Sequence, residues 1–365
     1  MNRCRTCVYP DTKPDLYFDA TGQCSACINY AARSRIDWGG REQELVKLLD
    51  QHHGEVVVPS SGGKDSTYIV LKMLELGANV TVITAGTCHL TEIGRKNIDN
   101  LARYAKTIEV TQNRTTAAKL NRLGLELVGD ISWREHVNIF TTPFRVAADI
   151  GVSLIMYGEN SQAEYGGPMG SEKAITMTAR WRSEFGGFLG LRPADLIGQE
   201  GITKRDMADY ETAYDQTNAG KRLEAHFLGA YIPWDSHMNA AVAKAYGMLQ
   251  MSPSPANYWI HENLDNAQTG LHDYMMYRKY GYGRASAQLS VDVRAGLVPR
   301  ETALDQAQKM DAIFPEKYAG VELDVVLDRI GIKRQRLLEI IDQFTNWEYF
   351  RRVEPDIESH PILIT

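Results

Sequence analysis

The sequence lacks any apolar run of the roughly eighteen residues that a membrane span needs, and its start, MNRCRTC, is polar where a secretory leader is apolar. A cytoplasmic protein without a membrane partner is expected. There is no excess of positive charge: 40 Lys and Arg stand against 46 Asp and Glu, for a net charge of −6. Without an overall basic field, a nucleic-acid partner is not expected either. Cysteine is scarce, five in 365 residues, and in a cytosolic chain, where thiols stay reduced, paired cysteines read as metal ligands before disulfides. The Walker A pattern is absent, which removes the usual support for a kinase or GTPase. No internal repeat or low-complexity tract is present. What remains is an ordinary globular composition, 44% apolar and 24% charged, in a chain long enough for two domains and a small appended module.

The few cysteines are concentrated. Cys4 and Cys7 form one Cys-x2-Cys pair, and Cys24 and Cys27 form a second after sixteen intervening residues. This is the spacing of a zinc ribbon, with two knuckles closing a tetrahedron. Four thiolates leave no open position for water, so the Zn²⁺ is expected to be structural. The surrounding forty residues are rich in turn formers (DTKPD, TGQ) and poor in aliphatic periodicity, which suits a module held by metal at 1–40. Cys88 stands alone and reads as a partly buried thiol.

From Glu42 onward, β-branched runs alternate with helical patterns. EVVV (55–58), NVTVIT (79–84), TIEVT (107–111) and VSLIMYG (152–158) read as strands, with helical stretches between them. Such alternation predicts an α/β domain with a parallel sheet covered on both faces, assigned to 41–200, whose ligands bind beyond the strands' carboxyl ends. Past Gly190 strand signals fade and helical patterns dominate, so 201–365 is expected to be mainly helical, with the boundary near 190–230.

Chemistry-bearing residues fall just after strands. Ser61-Gly62-Gly63-Lys64-Asp65-Ser66 lies between EVVV and a helix, where glycines permit a tight turn and the helix offers free N–H groups and a positive dipole end to an anion. Glu159, Asn160, Glu164 and Tyr165 follow VSLIMY, a grouping of carboxylates, amide and phenol suited to substrate positioning and proton transfer. Glu159, nearer the strand end, is the favoured proton acceptor.

The loop resembles the S-G-G-x-D-S loop of the PP-loop ATP pyrophosphatases. That resemblance implies that the fold is an adenine nucleotide α-hydrolase type, that ATP is cleaved to AMP and pyrophosphate, that Asp65 helps hold Mg²⁺, that Lys64 offsets phosphate charge, and that Thr84-Ala85-Gly86 meets the adenine through backbone contacts. More of the chain, in CRTCVYPDTKP, DATGQCSAC, PSSGGKDSTY, YGENSQAEYGG, LHDYMMYRKYGYGRASAQLSVDVRAG and PRETAL, resembles the N-acetyl sugar amidotransferases. These convert the acetamido group of an activated sugar into an acetamidino group for O-antigen or flagellin glycans. The resemblance implies a nucleotide-activated acetamido sugar as substrate, and it draws attention to Lys279, Arg284, Asp292 and Arg294, whose arginines could hold phosphates or a uronate carboxylate. No glutaminase context surrounds Cys4 or Cys88, so ammonia is expected from a separate glutaminase with a cyclase-like subunit. The rival is a PP-loop tRNA thiolase, which needs catalytic cysteines in the loop domain where this chain has only Cys88. A zinc-ribbon interaction module on a dead nucleotide fold is the non-enzymatic alternative, disfavoured because Lys64 and Asp65 are both retained.

Overall fold

The computed structural model describes residues 1–211, 216–351 and 362–364. Helix α1 (Ser25–Ala32) leads out of the cysteine module, and α2 (Trp38–Gln51) starts where the Asp37 carboxylate accepts the Gly40 N–H. That bond satisfies one of the amides a helix leaves open at its start.

A five-stranded sheet follows. Strand β1 (Glu55–Pro59) leads into α3 (Lys64–Glu75), β2 (Asn79–Ala85) into α4 (Glu92–Leu101), and β3 (Lys106–Val110) into α5 (Arg114–Val128) and α6 (Trp133–Ile150). Strand β4 (Leu154–Tyr157) is followed by the short helices α7 (Ser161–Glu164), α8 (Ala179–Phe185) and α9 (Lys204–Met207), then by β5 (Glu224–Phe227). The order is β3-β2-β1-β4-β5, and every pairing is parallel. Parallel neighbours need crossovers, and the helices supply them.

Val56 and Val58 pack with Leu45, Met73 and Trp234 on one face, whereas Val57 packs with Phe144, Ile155 and Phe227 on the other. The EVVV run is therefore a strand buried on both faces, as a central parallel strand must be. Each such fully buried aliphatic side chain contributes about 1.5–3 kcal/mol. The sheet takes its fifth strand from the stretch read as a domain boundary. Glu224-Ala225-His226-Phe227 is four residues long and half polar, and pairing with β4 rather than local pattern makes it a strand.

After β5 the chain is mainly helical, with α10 (Ser236–Ala245), α11 (Thr269–Tyr280), α12 (Arg284–Arg294), α13 (Arg300–Asp311), α14 (Leu323–Ile330) and α15 (Arg334–Phe344). Leu271, Met275, Val326, Leu337 and Ile340 form a core that also takes Leu125 of α5 and Ile131. The helical part thus packs directly on the sheet's helical layer. No helix among the described residues is long and apolar enough to cross a membrane.

Candidate active site at the switch point of the sheet

Connections run from β1 outward through β2 to β3, then return to place β4 on the other side of β1. The carboxyl ends of β1 and β4 flank this reversal, where parallel sheets form their ligand crevice. A cavity of about 490 Å³ opens there, lined by Ser61–Ser66 after β1, Gly158, Glu159 and Tyr165 after β4, His136 of α6, His272 of α11, the 261–266 loop and Arg284.

The loop after β1 is braced by serines. The Ser60 hydroxyl accepts the Gly62 N–H at 2.9 Å and donates to Ser66 Oγ at 2.8 Å, while Ser66 Oγ donates to the Gly63 carbonyl at 3.2 Å. Gly62 has φ +77°, and a Cβ there would stand 2.7 Å from the Ile98 backbone nitrogen, so only glycine fits. No side chain caps α3 at Gly63, which leaves its first-turn amides open at the positive end of a twelve-residue helix.

Lys64 is buried among acids. Its Nζ lies 2.5 Å from Asp65 Oδ2, 4.0 Å from Glu262 Oε1 and 5.7 Å from the centre of the Trp259 ring. Burial alone would lower its pKa, but Asp65, Glu262 and Glu159 outweigh that and raise it. Asp65 Oδ1 accepts from Asn239 Nδ2 at 2.9 Å. Burial, and then repulsion from Asp65, push the Glu159 carboxyl up to about 8 against the pull of Lys64. Glu262 goes the other way, because Lys64, Arg284 and a 2.6 Å bond from Gln288 Nε2 overcome its burial. The result is a fixed cation among carboxylates, with Glu262 favoured in its ionised form and Glu159 in its protonated form.

The other expected site residues divide. Tyr165 and Arg284 line the cavity, with Arg284 Nη2 donating to Asp273 Oδ1 at 2.8 Å. Asn160 caps α7, accepting from Gln162 N–H and donating to the Ser171 carbonyl at 2.9 Å. Glu164 pairs with Arg33, and its backbone carbonyl accepts from Arg294 Nη2 at 2.9 Å. Lys279 donates to the Val128 carbonyl at 2.9 Å. Asn160, Glu164, Lys279 and Arg294 hold the walls together and do not line the cavity. Thr84 and Ala85 line a second cavity of about 580 Å³ that shares Ser61, Ala85, Gly86, Thr87 and Asp265 with the first. The Gly86 carbonyl is already taken by Arg134 Nη2 at 3.0 Å.

Sequence reading missed the 261–266 loop, which brings Glu262 and Asp265 to the cavity, and it missed His136 and His272. His272 lies inside LHDYMMYRKYGYGRA, so the resemblance itself could have flagged it.

Cys4, Cys7, Cys24 and Cys27 are buried together, with sulfurs 3.8 Å apart for Cys4 and Cys27, 3.6 Å for Cys7 and Cys24, and 3.6 Å for Cys24 and Cys27. Tetrahedral zinc with bonds near 2.3 Å needs sulfurs about 3.8 Å apart, so the four residues fit a structural Zn²⁺. Arg300 anchors the knuckle by donating to the Cys4 and Cys7 carbonyls, through Nε at 3.0 Å to each. Cys88 is half-buried with its thiol pushed up to about 11 by burial, against the pull of Arg134, and so is a poor nucleophile.

A parallel α/β domain with a cavity at its switch point, joined to a four-cysteine module and a helical C-terminal part, defines an α/β protein with a ligand-sized crevice. Residues 250–360 match the family model described as LPS biosynthesis protein WbpG-like, C-terminal domain. This part of the chain is similar to that domain, in accord with the N-acetyl sugar amidotransferase resemblance, and the match supports a role in sugar and lipopolysaccharide biosynthesis. No curated protein matches the chain.

Proposed function

We propose that the chain is an ATP-dependent, AMP-forming amidotransferase that converts the acetamido group of a nucleotide-activated sugar into an acetamidino group. The observation that carries this reading is the single cavity shared by the Ser61–Ser66 loop, the acidic group at the end of β4 and Arg284. Phosphates and a polar substrate can meet there.

An amide carbonyl is a poor electrophile. Attack of its oxygen on the α-phosphorus of ATP forms a C–O–P link and expels pyrophosphate, after which ammonia adds to the carbon and AMP leaves with the former carbonyl oxygen. The open amides of α3 and the loop glycines receive the pyrophosphate, and Lys64 offsets its charge. Asp65 would hold Mg²⁺, which when bound neutralises phosphate charge. Glu159, protonated near neutral pH, donates a hydrogen bond rather than accepting a proton. Tyr165 and Arg284 position the sugar from the cavity wall. The cavity must exclude water while the carbon is activated, since hydrolysis returns the amide. Ammonia is delivered by a separate glutaminase with a cyclase-like subunit.

The test supplies nucleotide-activated acetamido sugars, ATP, Mg²⁺ and concentrated ammonium at alkaline pH, where free NH₃ replaces delivery. Exchange of O for NH lowers the sugar's mass by about one unit, while the bound geometry still supplies orientation. AMP and pyrophosphate should appear together. ADP as the main product, or sulfur gain by a tRNA with no shift in any sugar, would overturn the reading.

A further inference from the structure

Two histidines from different helices meet on the cavity wall around one buried carboxylate. Asp130, in the turn between α5 and α6, accepts the Ser132 N–H at 2.8 Å and the His272 Nδ1–H at 2.7 Å through Oδ1. Its Oδ2 lies 3.3 Å from His136 Nδ1, outside good hydrogen-bond geometry. The two rings meet edge to face at 5.2 Å. Although burial would raise Asp130, the two imidazoles hold it well below the usual carboxylate range. His272 moves upward, because Asp130 and then Asp273 outweigh its burial and the opposing charge of Arg284.

A carboxylate on Nδ1 fixes the tautomer and leaves the lone pair on Nε2. His272 Nε2 has no hydrogen-bond partner among the described residues; it lies 4.0 Å from Asp273 Oδ1, and that carboxylate is occupied by Arg284. The His272 ring lines the same cavity as the phosphate-binding loop. Three other groups of that cavity are less ready to take a proton at neutral pH. Glu159 stays protonated up to about 8, Lys64 is held charged, and His261 is lowered to about 4 by burial and then Lys64.

We propose that His272, oriented by Asp130, is the base that takes a proton from the nitrogen nucleophile. The inference rests on the amidotransferase reading. As ammonia adds to the adenylated carbon, the new C–N bond leaves a positive ammonio nitrogen. His272 Nε2 accepts one of its protons, the nitrogen lone pair expels AMP as the C–O bond breaks, and the imidazolium returns its proton to solvent. Asp130 is a positioning residue, and by stabilising the imidazolium it makes His272 a stronger base.

Two assays separate this step from the one before it. Sugar-dependent exchange of labelled pyrophosphate into ATP reads adenylation alone, and amidine formation from ammonium reads both. His272→Gln should keep exchange within about twofold while amidine formation falls by about 100-fold or more, the usual worth of a general base. Added imidazole should restore part of that loss. With the amidine rate taken per free NH₃, the alkaline rise of the wild type should vanish in His272→Gln and move to lower pH in Asp130→Asn, a shift that a purely structural role would not produce. His136→Gln should change amidine formation only a few-fold. Loss of exchange and amidine formation together in His272→Gln, or unchanged amidine formation, overturns the assignment. Wild-type protein with no sugar-dependent exchange would instead remove the amidotransferase reading, and the base assignment with it.

Discussion

Gly62→Ala tests whether the loop after β1 grips phosphates by close approach of its backbone. The substitution has two separable costs. An alanine at φ +77° pays about 1–2 kcal/mol for the left-handed conformation. Its Cβ also meets the Ile98 nitrogen at 2.7 Å and the Asn97 carbonyl carbon at 2.8 Å, both backbone atoms of α4 that cannot swing aside. Restoring normal contact near 3.5–4.0 Å moves the loop by about 1 Å. Displacements of that size at a reacting centre cost about 100-fold in rate. Gly77→Ala is the control, since Gly77 has φ +80° with no atom within 4 Å of a built Cβ. The control should lose about 1 kcal/mol of stability by denaturant titration and keep full AMP formation. Gly62→Ala should lose about 2–3 kcal/mol and about 100-fold in AMP formation. Wild-type turnover in Gly62→Ala would refute the argument that phosphate binding depends on this approach.

Metal analysis should give one zinc per chain, lost with a fall in Tm in Cys4→Ser; a stoichiometry near zero or an iron–sulfur absorbance would contradict the ribbon. Glu159 titrates near 8 in the folded chain and near 4.3 when unfolded, so the folded state favours its protonated form and loses that stabilisation as pH rises from about 4 to 8. Glu159→Gln should remove a decline of at most about 1.4 kcal/mol per pH unit over that window, read from unfolding curves at pH 5 and pH 8; parallel curves for the two proteins would rule it out. Cys88→Ser should retain AMP formation, and wild-type Cys88 should alkylate slowly at neutral pH, because its thiol titrates near 11. Loss of turnover in that variant would revive the thiolase reading.

The sheet was legible where strands carried β-branched runs. Val56–Val58, Val80–Ile83 and Leu154–Tyr157 announce themselves because both of their faces are buried. Strand β5 does not, since Glu224 and His226 interrupt its apolar pattern and only its partner β4 makes it a strand. The Ser61–Ser66 loop was equally visible, because a turn, an open helix end and a preceding strand are consecutive in sequence. The rest of the cavity is assembled from distant segments. Asp130, His136 and His272 acquire a common role only when α11 packs beside the start of α6, a long-range contact without a local signal. Residue type also hides direction. Glu164 and Arg294 look like site residues by chemistry and position, yet their charges are engaged with Arg33 and with each other's segment.

The cysteine module and the loop after β4 are cast as one piece. Lys13 donates to the Gly166 carbonyl at 2.9 Å, Asn29 reaches the Ala163 carbonyl at 3.5 Å, and Arg33 grips Glu164. Gly166, with φ +82°, presses so closely on Leu16, Ser25 and Ala26 that a Cβ would lie 2.4 Å from Leu16 Cδ1. A ribbon grafted from another protein would keep its metal and still leave the β4 loop without its mould. The two segments therefore cannot be exchanged independently, and any chimaera that preserves turnover must take the seam between them from a single parent.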